Sequence, residues 1–165
     1  MNDNYLILII LIFTAGLVIF LLFMNNKYWG PKTRRKILKS KAFNKFKELG
    51  FTENRENILG SYSGFMTLIG YHWTGSAGKP VIYIQIDFDS DNLSEKHLTE
   101  LQEKYGNKFF SFKWKQDNYV WNKNALLSEM EYNIFPPKFN AILKQIDKMI
   151  KILHTEKLES KICKT

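Results

Sequence analysis

The sequence predicts an α+β protein: one amino-terminal transmembrane helix, then a cytoplasmic domain whose antiparallel sheet of about five strands is packed by two or three helices, in the order α-βββ-α-ββ-α. Three observations predict it. Residues 5–23 carry no charge over nineteen positions. The stretch that follows is rich in Lys and Arg, with no acid until Glu48. Beyond residue 50, runs that alternate apolar and polar side chains between turn residues are interleaved with apolar residues at helical spacing.

As a helix, residues 5–23 would reach about 28 Å, close to the hydrocarbon thickness of a bilayer. Thr14 is the single hydroxylated interior residue between Tyr5 and Phe23, and a run apolar all round is not the pattern of a core helix, which keeps polar residues on one side. Residues 1–4 lack a basic segment, and no small-x-small site follows Phe23, so an uncleaved anchor is expected. Lys27, Lys32, Arg34, Arg35, Lys36 and Lys39 follow the run, whereas Asp3 alone flanks it on the other side. The positive-inside bias therefore puts the amino terminus outside the cell membrane and the domain in the cytoplasm. Tyr28 and Trp29 stand at the height of interfacial aromatics, and Gly30-Pro31 is expected to break the helix. The resulting organisation is an extracytoplasmic end at 1–4, a transmembrane helix at 5–24, a basic juxtamembrane linker at 25–36, a domain at 37–155 and a fraying polar tail at 156–165.

The net charge of +8 does not mark a nucleic-acid binder: residues 1–50 hold nine bases against Asp3 and Glu48, or +7, which leaves the rest nearly neutral. Cys163 is the single cysteine, which excludes an internal disulfide and a multi-cysteine metal site. An aromatic content of 15% supplies bulk for a core.

Within the domain, Leu38, Ala42, Phe46 and Leu49 at helical spacing predict one helix capped by Gly50. Residues 58–62 and 65–73 read as strands joined at Ser63-Gly64, and residues 75–80 as a loop into a third strand at 81–88, where Ile82, Ile84, Ile86 and Phe88 form one apolar row. Asn92 and Glu95 resemble a capping box for a helix ending at Tyr105-Gly106. Phe110, Phe112 and Trp114 alternate with polar residues as a fourth strand, and Asp117-Asn118 turns the chain into a fifth at 119–121. Residues 125–135 are ambiguous: Ala125-Leu126-Leu127 fits a short helical turn and Tyr132-Asn133-Ile134-Phe135 an extended stretch, which Pro136-Pro137 ends. Phe139, Ile142, Leu143, Ile146, Ile150 and Leu153 mark an amphipathic helix that should cover the sheet. This order is similar to that of small secretion-chaperone-like α+β domains, and the resemblance, in element order, implies polypeptide binding and dimerisation.

Candidate chemistry is sparse. Asp87, Asp89 and Asp91 resemble the opening of a calcium loop, yet Asn92 and Leu98 occupy the glycine and bidentate-glutamate positions. His72, His97 and His154 fall on three different elements without metal-ligand spacing. Residues 108–114 resemble an RNA-stacking strand, but Phe109 replaces the glycine it needs and the domain is close to neutral. No cofactor, metal or nucleic acid is expected. Trp73, Tyr83, Tyr119 and Trp121 are the candidate interaction surface, since exposed aromatics on a sheet bind proteins. The leading expectation is an interaction module with an unidentified protein partner, as a monomer or homodimer. Its alternatives are an enzyme using Asp87 and Asp89 and a module whose bases at 32–47 bind anionic lipid.

Overall fold

The computed structural model describes residues 3–24, 27–28, 30–74, 79–91, 93–106, 118–132 and 135–160. It is α+β, with five helices and an open antiparallel sheet of six strands among these residues. The chain divides into two compact units, Met1–Lys36 and Ile37–Thr165.

In the first unit, helix α1 (Asp3–Met24) is long and apolar enough over Tyr5–Met24 to cross a membrane. Its large side chains point outward all round, Phe13 being 71% and Ile19 67% exposed. The one interior hydroxyl is satisfied within the helix, because Thr14 Oγ1 donates to the carbonyls of Ile10 and Leu11 at 2.9 Å. Helix α2 (Gly30–Leu38) begins where the sequence predicts a break: Pro31 lies in its first turn, where the missing N–H has no intrahelical acceptor to lose.

The expected single helix through Leu38, Ala42, Phe46 and Leu49 is interrupted. Ser40, extended at φ −69° and ψ 158°, separates α2 from α3 (Lys41–Glu48). Helix α3 ends in a Schellman motif: Gly50, at φ +92°, donates to Lys47 O and Phe51 N donates to Phe46 O. The accompanying apolar contact is Phe46 against Phe51, edge to face at 5.3 Å.

The strands are β1 (Thr52–Asn54), β2 (Asn57–Tyr62), β3 (Phe65–Thr74), β4 (Lys79–Asp87), β5 (Asn118–Asn122) and β6 (Ala125–Glu131), in spatial order β1-β2-β3-β4-β6-β5. Residues 125–131 are therefore strand, not a helical turn. Asn118, expected in a turn, opens β5, and the β5–β6 turn falls at Lys123-Asn124, between the pair Asn122 and Ala125. The expected strand at 110–114 lies outside the described residues. Ser63 and Gly64 join β2 to β3 with φ of 49° and 84°, the positive pair that a tight hairpin needs.

Register fixes the two faces. Ile58, Ile69, Ile84, Ser128 and Tyr119 are cross-strand partners in one row, and Thr67, Ile86, Leu126 and Trp121 in the next. Both rows are buried, in one core with Phe43 and Phe46 of α3, Leu101 of α4 (Glu95–Tyr105) and Ile142, Ile146, Met149 and Leu153 of α5 (Phe139–Thr155). Gln145 is also buried on α5; its Nε2 donates to Ser128 Oγ at 2.8 Å and to Tyr119 Oη at 3.4 Å. At the start of α4, Ser94 is the cap and accepts from the His97 amide at 3.2 Å, two residues nearer the helix than the expected Asn92, which is outside the described residues.

Through residue 160 the tail does not fray. Helix α5 ends in a second Schellman motif with Lys157 at φ 56°, from which Leu158 N donates to Leu153 O. Leu158 and Ser160 are buried, Glu159 O accepts from Asp89 N at 2.8 Å, and Ser160 Oγ donates to Gly64 O. Apolar burial and backbone pairing hold a segment that its polar composition alone predicts to be loose.

Candidate interaction face of the sheet

Because side chains alternate across a strand, the residues between the core rows form a second face. Leu59, Leu68, Gln85, Leu127 and Val120 are successive cross-strand partners there and make a row running across five strands. Leu59, Leu68 and Leu127 are half-buried, and Val120 is 50% exposed.

The adjoining row is Asn57, Gly70, Tyr83 and Glu129. Gly70 is buried, and a Cβ there would collide with Asn57 Oδ1 and with the Tyr83 ring and hydroxyl, so the glycine lets these two side chains lie across the sheet. Tyr83 Oη donates to Asn57 Oδ1 at 2.6 Å. His72 packs its ring against Tyr83 at 5.4 Å and sets Nε2 3.4 Å from Glu129 Oε1. Both members of that pair are about two-fifths exposed, 38% and 41%, so solvent screens it.

The face is acidic. Asp87, Glu129 and Glu131 share it, and among its described side chains there is no Lys or Arg; Lys79 has the same register parity, opposite Thr74 at the end of the sheet.

One edge of the sheet is blunted. Gln102 on α4 presents its side-chain amide to β5, with Oε1 accepting from Trp121 N at 2.8 Å and Nε2 donating to Tyr119 O at 3.2 Å. These are the outward groups of an edge strand, which otherwise invite pairing with another chain.

The four aromatics expected at an interaction surface separate. Tyr83 lies on the second face, half-buried. Tyr119 and Trp121 are core, 6% and 8% exposed, which corrects the expectation: their cross-strand partners Ser128 and Leu126 are buried on the core face, and Trp121 packs on Phe88 and Tyr105. Trp73 pairs with Pro80, and its side chain is outside the described residues. Leu59, Leu68, Val120 and Leu127 were not among the residues expected at a surface. Their signal was present as apolar residues at the alternate positions of strands whose other positions are also apolar.

The aspartates are occupied locally. Asp87 Oδ1 accepts from Gln85 Nε2 at 2.8 Å, and Asp89 Oδ1 accepts from Asp91 N at 3.1 Å in a turn. Among the described residues no group of three or more His, Cys, Asp and Glu side chains could hold a metal ion. His97 lies on α4, and His154 stacks edge-on against Phe65 at 5.4 Å. In the basic flank, Lys27, Lys32, Arg35, Lys36 and Lys39 are exposed and Arg34 is half-buried. Lys27 Nζ lies over the rings of Phe23 and the exposed Tyr28, while Trp29 is outside the described residues. No family model, curated protein or solved structure matches this chain.

Proposed function

We propose that this protein is a single-pass membrane-anchored interaction module: α1 spans the cell membrane with the amino terminus outside, and the cytoplasmic domain binds a polypeptide on the second face of its sheet. One observation carries the reading, the apolar row Leu59, Leu68, Leu127 and Val120 on the face opposite the core. Apolar side chains in water on a sheet face gain by being covered, and aliphatic area removed from water is worth roughly 25 cal/mol per Å². Anchoring supports it further, since confinement to a membrane raises the effective concentration of weak partners. The exposed bases after α1 support the topology by the positive-inside bias and would hold the domain near anionic headgroups.

The test is site-specific photo-cross-linking of the full chain in its native membrane. A reactive side chain at Val120 should give a discrete cross-linked polypeptide, and one at Lys144, on the exposed side of α5, should not. Equal capture from both positions, or none from Val120, defeats the reading. Topology is tested separately at Cys163, the single cysteine: a membrane-impermeant thiol reagent should label it only after the cells are permeabilised.

A further inference from the structure

We propose that the outer side of α3 and α5 docks on the anionic surface of the membrane that α1 enters, with Leu49 and Phe135 in the headgroup layer and Lys41, Lys45, Lys138 and Lys144 against the anionic headgroups. This rests on the anchored reading and deepens it, and it does not depend on what binds the sheet.

Apolar exposure is the first argument. Among the described residues of the second unit, the exposed large apolar side chains are Leu49 (51%), Val120 and Phe135 (82%). Val120 belongs to the second face of the sheet. The other two flank the place where α3 meets α5: Leu49 is the C-cap of α3, one turn past Phe46, and Phe135 lies just ahead of α5 and Phe139, whose ring is 4.7 Å from that of Phe46. Pro136 disfavours helical backbone at Phe135 and so keeps it out of the packed turns of α5. An exposed ring and an exposed leucine among lysines suit the boundary between headgroups and acyl chains.

Charge is the second. Lys41 and Lys45 are exposed on α3, Lys138 opens α5, and Lys144 and Lys151 lie on the side of α5 opposite the buried Ile142, Ile146 and Leu153. Lys45 Nζ lies over the Phe139 ring, 5.4 Å from its centre, which brings a base of α3 to the start of α5. Two exposed acids share these helices, Glu48 and Asp147, and Asp147 accepts from Tyr62 Oη at 3.1 Å. Lys47 is paired with Glu53 and Lys148 has a partner within the protein, so these two add little. No acid lies in the first turn of α5 to offset the positive end of its dipole.

Chain connection selects the occupant. Residues 25–40 join α1 to α3, so with α1 in a bilayer the lipid surface stays within reach of α3 at high effective concentration. An acidic polypeptide would have to be recruited from solution against that competitor. Docking through the helices also leaves the opposite face of the sheet, with Val120, open to a polypeptide.

The experiment uses the full chain in nanodiscs, with an environment-sensitive fluorescent side chain at position 135. Discs of phosphatidylcholine are compared with discs that also contain phosphatidylserine. Emission should move to the blue only in the phosphatidylserine discs, and the same probe at position 120 should not respond. Lys41→Gln and Lys144→Gln should each lower the ratio of docked to undocked domain by about fivefold, with thermal midpoints that match the parent and report an intact fold. An equal blue shift in pure phosphatidylcholine, no shift in either disc, an equal response at position 120, or unchanged docking in both variants overturns the proposal. A shift at position 135 on adding polyglutamate to phosphatidylcholine discs also overturns it, and would mark a face for acidic polypeptides. Alkaline extraction of native membranes tests the anchor separately. A retained chain that does not dock leaves the anchored reading standing, whereas a chain released by alkali defeats that reading and the docking with it.

Discussion

Gln102 is bonded to Trp121 as a neighbouring strand would be: its Oε1 accepts the Trp121 amide at 2.8 Å, and its Nε2 returns a hydrogen bond to Tyr119 O. One side chain thereby satisfies two outward backbone groups of the edge strand β5. Gln102→Ala removes both partners at once and should destabilise the domain by about 1–3 kcal/mol. It should also expose a strand edge. Urea denaturation checks the first effect, and concentration-dependent association of the variant in neutral-lipid nanodiscs checks the second; an unchanged midpoint would mean that water replaces Gln102 without loss.

Lys157 holds φ 56° at the end of α5, where Gly50 holds +92° in the matching position of α3. The left-handed region costs a side chain about 1 kcal/mol that glycine does not incur. Lys157→Gly should accordingly raise stability by up to about 1 kcal/mol, whereas Gly50→Ala should lower it by a similar amount. Both are read from thermal or urea midpoints. Nothing lies within 4 Å of a Cβ built on Gly50, so any loss there reports backbone strain rather than a clash.

Glu156 ties the returning carboxy-terminal segment to α4 by accepting from Lys104 Nζ at 2.8 Å and from the Tyr105 hydroxyl. The Lys104 ammonium, with Tyr105, holds its carboxyl below the ordinary value of 4.5. A carboxylate depressed on folding stabilises the fold fully above its unfolded value, and that contribution disappears as pH falls through the lower folded value. Stability of the parent protein should therefore decline on acidification below about pH 4.5, and Glu156→Gln should flatten this part of the curve. Urea midpoints from pH 7 to pH 3 measure it. Identical acid limbs would show that Glu156 contributes nothing to the pH dependence.

Much of the architecture was legible because the signals were unambiguous where one face alone is apolar. Ile82, Ile84 and Ile86 alternate with Tyr83, Gln85 and Asp87, and the apolar residues of α5 repeat at helical spacing. Residues 125–131 were not legible, since Leu126 and Leu127 are apolar on opposite faces and the period of two disappears. The division at Ser40 was hidden for a related reason: Leu38 and Ala42 keep helical spacing across it. Which of the aromatics faces solvent could not be read at all. Tyr119 and Trp121 owe their burial to register with Ser128 and Leu126, and register is a property of paired strands. The second face went unnoticed because four of its five strands contribute one apolar residue each to the row and β4 contributes Gln85, so the row exists only after five strands are aligned.

Gln145 supplies the sharpest test of how the core is specified. Helix α5 buries it among Ile142, Ile146 and Met149, an apolar side on which a polar residue is costly unless bonded, and its amide reaches Ser128 Oγ at 2.8 Å. Gln145→Ala would leave the Ser128 hydroxyl buried beside a cavity and should cost about 2–4 kcal/mol. Gln145→Leu fills the space but still strands that hydroxyl, so its cost should be smaller, about 1–2 kcal/mol. Adding Ser128→Ala removes the orphaned group, and the double variant should recover most of the loss, because two apolar replacements leave nothing unsatisfied between them. A double-mutant cycle in urea isolates the coupling. Full additivity of the two substitutions would mean that Gln145 and Ser128 do not depend on one another and that α5 finds its position on the sheet through apolar packing alone.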